Sequence, residues 1–425
     1  MSSTSTSTEE RKNGSIIRPV DGYESGESAI WISLTDEIED IGVDAETLSK
    51  LLPPVLSKYD VFNMTISTIE GKGYWTWLLV LETGVPVESV PWADELPPME
   101  ENRVFLPPWG ALFRVALSVS PKDNSGKQRG RLTVYASHAI CDGRTLENLH
   151  RVVRSAVPGQ PGTADLPNQG LCAFGQAANF TLPPEAYSSA PASWDFKLGR
   201  MIPDFAAEHY VEVYSDYDNA PVRSYCHKHG VSTQGVMMAI MERAYRAYNK
   251  APDDALIYSN YMIDARHHPA ATAEFRTTKF FCGAASGFPV VFGQGKDIGA
   301  DIAHCTQRMR EDFATNDGVV QTVRIARCIN PDTLEYTPLT GSPFPDYGKM
   351  PITVSTNIGR FDSCAKPRVG VHITCIPTSY FVILYGYSTR ERMYFLTLRP
   401  RNLDPAFAKV IEDEIDAVMK YVSEN

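Results

Sequence analysis

The sequence predicts a mixed α/β fold organised as two halves. Runs of β-branched and aromatic residues bounded by turn formers recur in both parts of the chain, and stretches with helical spacing of apolar residues stand between them. A Pro- and Gly-rich passage separates the two parts. With 425 residues, 43% hydrophobic and 21% charged, the chain is globular in composition and long enough for two or three core-forming units. We divide it into a disordered tail over 1–14, a first half over 15–180, a crossover over 181–215 and a second half over 216–425.

The opening MSSTSTSTEERKNG is polar, of low complexity and without an apolar signal region. SAIWISLTDEI then reads as a strand, and DAETLSKLLPPVLSKY as a helix with Asp44 at its N-cap. NMTISTIEG, YWTWLLVLET and ALFRVALSVS read as strands. The turn formers Asn124 to Gly126 make the last of these the first arm of a hairpin whose second arm is RLTVYAS. TLENLHRVVRSAV places Leu146, Leu149, Val152 and Val153 on one helical face. After VPGQPGTADLPNQG and TLPPEAYSSAPAS, the second half restarts with RSYCHKHGVSTQGVMMAIMERAYRAYN, where Ser232 or Thr233 can cap a helix. ALIYSNYMIDAR, GFPVVFG, MPITVSTNIG, GVHITCIP, SYFVILYGY and RMYFLTLRP follow as strands, and DPAFAKVIEDEIDAVMKYV closes the chain as an amphipathic helix.

Composition excludes several function classes. A net charge of −11, without a long Lys/Arg run, opposes binding to nucleic acid. No apolar run approaches the roughly 18 to 20 residues of a membrane helix. The eight cysteines lack the close pairing of a zinc or redox site and read as reduced, intracellular thiols, which makes the cytoplasm the expected compartment. His267 and His268 are adjacent, so on extended chain they point opposite ways; His227 and His229 share a face of an extended segment before a helix and read as surface residues. No metal site is expected.

The stretch that carries chemistry is SHAICDGRT, which follows the strand RLTVYA. His138 ends the strand, and Asp142 and Gly143 occupy the turn into the next helix. On local grounds alone, a buried histidine, a capping aspartate and a conformational glycine explain it equally well.

Read together with three other segments, HAICDG resembles the HxxxDG motif of the CoA-dependent acyltransferases, which include plant BAHD enzymes, fungal alcohol acetyltransferases and condensation domains of peptide synthetases. KHGVSTQGVMMAIMERA is similar to the helix that opens their second half, YMIDAR to their strand ending in aspartate and arginine, and VSTNIGRFD to the Ser-Asn-Gly loop of the alcohol acetyltransferase branch. The absence of a DFGWG sequence argues against a plant BAHD enzyme. Ser137 stands where condensation domains usually carry a histidine, so the resemblance is strongest to free-standing alcohol acetyltransferase-like proteins.

The resemblance implies a chloramphenicol acetyltransferase-like fold, two mixed-sheet halves around a tunnel. It implies transfer of an acyl group, acetyl or another short one, from acyl-CoA as co-substrate to a hydroxyl or amine of a small hydrophobic metabolite, in a monomer without a permanently bound cofactor. His138 would be the general base, since a neutral imidazole with a pKa near 6.5 suits that proton transfer. Asp142 would turn from the substrates and pair with Arg266, and Gly143 would allow an unusual backbone or a close approach. Ser355, Thr356 and Asn357 are candidate oxyanion or acceptor contacts, beside a plain turn at Asn357 and Gly359. Cys141 next to His138 raises a Cys-His acyl-enzyme, though a variable turn position favours a buried thiol. Trp75, Trp77 and Trp109 could line an apolar pocket, with core packing as their default. Arg276 and Lys279 are candidate CoA contacts, with solvated surface charge as the simpler account. The alternatives are CoA-independent chemistry in the same tunnel, such as cyclisation or carrier-protein-dependent condensation, and a non-catalytic binding protein.

Overall fold

The computed structural model describes residues 11–21, 24, 28, 30–94, 110–168, 210–251, 257–268, 273–279, 284–287, 290–291, 297–315, 352–373, 382–400 and 403–425. Trp109 and the crossover up to residue 209 lie outside them. The first half runs β1 (Ile16–Pro19), β2 (Ile30–Ile38), α1 (Ala45–Leu51), β3 (Met64–Ile69), β4 (Lys72–Trp77), β5 (Val87–Val90), β6 (Phe113–Val119), β7 (Gly130–Ser137) and α2 (Gly143–Arg154). The second runs β8 (Tyr210–Asp218), α3 (Asn219–His229), α4 (Thr233–Asn249), β9 (Ile257–Asp264), β10 (Ala284–Gly287), β11 (Val290–Val291), α5 (Ile298–Thr315), β12 (Ile352–Arg360), β13 (Arg368–Ile373), β14 (Ile383–Ser388), β15 (Arg392–Pro400) and α6 (Pro405–Glu424).

Local chemistry places several of these elements as expected. Asp44 caps α1 by accepting from the Thr47 N–H at 2.8 Å, and Ser232 caps α4 by accepting from Gly235 N–H at 2.9 Å. β6 and β7 form the antiparallel hairpin, with Gly126 at φ +84° in its loop. Other segments differ. In YWTWLLVLET the strand stops at Trp77, and Val80–Thr83 form a helical turn, because Asn63 Oδ1 accepts the Val80 N–H and starts the turn. His227 and His229 are exposed at the C-terminal end of helix α3, which Gly230 stops with φ +63°, rather than on extended chain. Residues 210–215, expected to end the crossover, belong to β8, which pairs with β15 along its whole length.

Among the described residues these strands form three sheets: β1-β4-β3, β13-β2-β7-β6-β5, and a larger one in the order β10-β9-β12-β14-β15-β8 with β11 also on β9. β13 is the notable member. Its sequence position is in the second half, yet it pairs antiparallel with β2, Val371 opposite Ile32 and His372 opposite Trp31. The reason lies in β2, a strand buried almost throughout that needs a partner on both edges. Its second partner arrives from across the molecule. The segment leading into β13 is tied down by first-half side chains: Glu147 accepts from Ser363 N–H and Oγ at 2.8 and 2.7 Å, Arg154 donates to Ser363 C=O at 2.8 Å, and buried Asp36 accepts from Lys366 N–H at 2.9 Å.

One core fills the first half and continues into the second. Leu146, Leu149, Val152 and Val153 of α2 pack with Leu34, Leu132 and Val134, and Val354, Ile358, Ile383, Leu396 and Leu398 of the larger sheet close the same cluster. The opposite face of that sheet buries Met237, Ile240 and Met241 of α4 and Phe407, Ile411 and Ile415 of α6. Helix α2 therefore sits between the two sheets. Its N-terminus, which carries the HAICDG turn, is at their junction.

Candidate active site

The turn is built by Ser137. Fully buried, it ends β7; its C=O accepts from Ile140 N–H at 3.0 Å and from the Cys141 thiol at 3.6 Å, and its Oγ accepts from Ala139 N–H at 3.3 Å. His138 follows, half-buried, with its N–H donated to Ile30 C=O at 2.7 Å. The histidine is thus seated at the last rung between β7 and β2, where the chain leaves the sheet. Cys141 is buried and unpaired to another cysteine, as are Cys305 and Cys364, while Cys226 is half-buried.

Asp142 is 1% exposed and uses both oxygens. Oδ1 caps α2 by accepting from Thr145 N–H at 2.8 Å, and the Thr145 hydroxyl accepts from the Asp142 N–H at 2.9 Å, a reciprocal capping box. Oδ2 lies 2.9 Å from Nη2 of Arg266. Arg266 stands in the helical turn after β9, 5% exposed, and its Nε contacts Asp264 Oδ1 at 2.8 Å. Burial opposes the guanidinium charge, but Asp142 and Asp264 outweigh it and raise its pKa. Arg266 is therefore a buried, paired arginine at the strand end.

Gly143 has no unusual backbone. It is there for close approach: a Cβ built on it would meet Cγ2 of Ile358 at 2.8 Å and Cγ1 at 3.1 Å. This contact brings α2 against β12, the strand carrying Ser355, Thr356 and Asn357. The three alternate in direction. Ser355 is fully buried, its Oγ accepting from Gln234 Nε2 at 2.8 Å. Asn357 Oδ1 accepts from Gly359 N–H at 3.0 Å, which bends the strand locally where its pairing with β14 shifts register and Gly359 takes φ +110°. Thr356 shares its face with Val354 and Ile358, both packed into the core of the first half. Of the three, Thr356 is the one on the face toward α2.

The remaining candidates separate from this group. Trp75 and Trp77 are packed in the first-half core, Trp75 Nε1–H donating to Glu24 at 3.0 Å. Arg276 and Lys279 are exposed, and the Lys279 C=O accepts from Asn148 of α2 at 2.6 Å. His267 is 78% exposed near Asp264, whereas His268 is buried against Phe313. Among the described residues, no group of three or more His, Cys, Asp or Glu could hold a metal ion, and no helix is long and apolar enough to cross a membrane. Sequence marks Ser137 only by the histidine it replaces and Gln234 not at all, because the building role of a serine or glutamine shows only once its partner is known.

No family model and no curated protein matches the chain. Solved structures do match over nearly its full length. Polyketide synthase associated protein 5 from Mycobacterium tuberculosis aligns with a TM-score of 0.60 at 16% identity, covering 97% of this chain and 99% of that one. TRI3 trichothecene 15-O-acetyltransferase from Fusarium sporotrichioides aligns with 0.63 at 10% identity, covering 95% of each. The condensation domain from Monacolin K polyketide synthase MokA aligns with 0.60 at 13% identity, covering 97% and 99%. The fold is therefore the chloramphenicol acetyltransferase-like α/β fold of condensation domains and acetyltransferases.

Proposed function

We propose that this protein is an acyltransferase that moves a short acyl group, acetyl first among the candidates, from acyl-CoA to a hydroxyl or amine of a small hydrophobic molecule. The observation that carries the reading is the double restraint of Asp142, by the helix cap on Oδ1 and by Arg266 on Oδ2, in the turn that follows His138 at the junction of the two halves. Such restraint costs buried charge and suits a turn whose geometry matters.

In the proposed mechanism the neutral imidazole of His138 takes the acceptor's proton as its oxygen or nitrogen adds to the thioester carbonyl. The tetrahedral intermediate collapses with cleavage of the C–S bond, and the imidazolium returns the proton to the departing thiolate. A positioned base contributes about 10²–10⁴-fold. The Thr356 hydroxyl is the proposed donor to the developing oxyanion. Asp142, Arg266 and Gly143 hold the turn and do not touch the substrates. No bound cofactor is required, and the protein is proposed to act as a cytoplasmic monomer in secondary metabolism.

A second reading keeps the site and changes the donor to a thioester on a carrier protein, favoured by the full-length likeness to a condensation domain. One experiment separates them. The protein is incubated with acetyl-CoA and longer acyl-CoAs and a metabolite extract, with free thiol and new acyl masses followed and His138→Ala as control. Thiol release and acyl products that vanish in His138→Ala are expected. Equal traces from both proteins would sink transfer from acyl-CoA, and activity restored only by an acylated carrier protein would establish the second reading.

A further inference from the structure

We propose that Gln234 is a positioning residue that stands in for a missing strand and so presents Thr356 to the acyl-transfer site; this rests on the reading just given. β9 pairs in parallel with β12 from Tyr258 opposite Ile352 to Tyr261 opposite Ser355, and the pairing stops there. β9 continues to Asp264 along β10, delivering Asp264 and Arg266 toward Asp142. Among the described residues, the backbone groups of β12 that faced β9 have no strand neighbour beyond Ser355. A parallel neighbour opposite Thr356 would donate to the Ser355 C=O and accept from the Asn357 N–H. The Gln234 amide makes both bonds, Nε2 to Ser355 C=O at 3.3 Å and Oε1 from Asn357 N–H at 2.9 Å, and Nε2 also reaches Ser355 Oγ at 2.8 Å.

Gln234 is itself firmly placed. It is 6% exposed in the first turn of α4, where Ser232 N–H donates to Thr306 Oγ1 of α5 at 3.2 Å. A Cβ at the neighbouring Gly235 would collide with Thr306 Oγ1, so the glycine lets α4 seat this close to α5. The split between β9 and β12 serves two ends at once: it frees Arg266 to reach Asp142, and the amide that fills it keeps the β12 register that turns Thr356 toward α2.

The test is a double-mutant cycle on the full chain, with acetyl-CoA and 1-hexanol as probes and thiol release as readout. Gln234→Met keeps the volume and loses every hydrogen bond; Gln234→Glu keeps the acceptor for Asn357 and loses the donors. Gln234→Met is expected to lower kcat about a hundredfold, the order of loss for a misplaced catalytic group, at unchanged KM for acetyl-CoA. In a Thr356→Val background the same change should add little, because the lost contact is already absent. Amide exchange at Asn357 should quicken roughly fivefold or more in Gln234→Met and stay slow in Gln234→Glu. Equal losses in both backgrounds, or Asn357 exchange unaltered in Gln234→Met, overturn the proposal. If wild type releases no thiol beyond the His138→Ala control, transfer from acetyl-CoA fails by itself and Asn357 exchange alone decides whether Gln234 holds the strand.

Discussion

Asp142 satisfies a helix end and a guanidinium with one carboxylate, so removing it damages two things together. Asp142→Ala leaves the buried Arg266 with Asp264 alone as its partner, a loss approaching the about 3–5 kcal/mol of a fully uncompensated buried charge, and forfeits the cap, about 1 kcal/mol more. Chemical denaturation is expected to show a protein folded marginally or not at all; full stability and activity in this variant would contradict the double role. Glu242 of α4 makes a different kind of statement. Burial raises its pKa from 4.5 to about 8, only partly opposed by Arg246. The folded state therefore holds a proton that the unfolded state has released, so the contribution is fully present below pH 4.5 and is lost as pH rises through 8. The stability of wild type relative to Glu242→Gln should fall between about pH 5 and 8 with a slope approaching 1.4 kcal/mol per pH unit. A pH-independent difference in urea melts would show that Glu242 is ionised in the fold.

At the scale of elements, the seating of α2 on β12 turns on the absence of one methyl group. An Ala in a helix is favoured over Gly by about 1 kcal/mol, but at position 143 its Cβ would press into the branched, stiff side chain of Ile358. Overpacking of this kind costs about 1–3 kcal/mol, so the strain wins and Gly143→Ala is expected to destabilise. Ile358→Ala removes the atoms nearest the new methyl. The double variant should be more stable than the sum of its singles by about 1 kcal/mol or more, measured by denaturation; strict additivity would mean the contact is not the cause.

For the whole molecule, the placement of β13 in the first sheet makes the halves interdependent. A fragment of residues 11–168 would leave β2 unpaired on one edge and the shared core open, and it is expected not to fold. The full chain should unfold as a unit. Five of the six tryptophans lie in the first half and none in the second, whereas the long helices α4, α5 and α6 are in the second, so fluorescence weights the first half and far-ultraviolet dichroism the second. Coincident midpoints are expected, and separated ones would show that β13 does not couple the halves. Much of this architecture was legible beforehand. The apolar run RLTVYAS after its hairpin loop, helical spacing in TLENLHRVVRSAV and the caps at Asp44 and Ser232 depend on residues a few positions apart, so local sequence was enough to specify them. The order of the motif segments determined the fold class through resemblance. Which sheet receives β13, that β8 begins at Tyr210, that Gly143 makes room for Ile358 and that Gln234 completes β12 depend on partners far along the chain. Those were decided only by tertiary structure, because hydrogen bonds and close packing between distant segments exist only once the chain has brought them together.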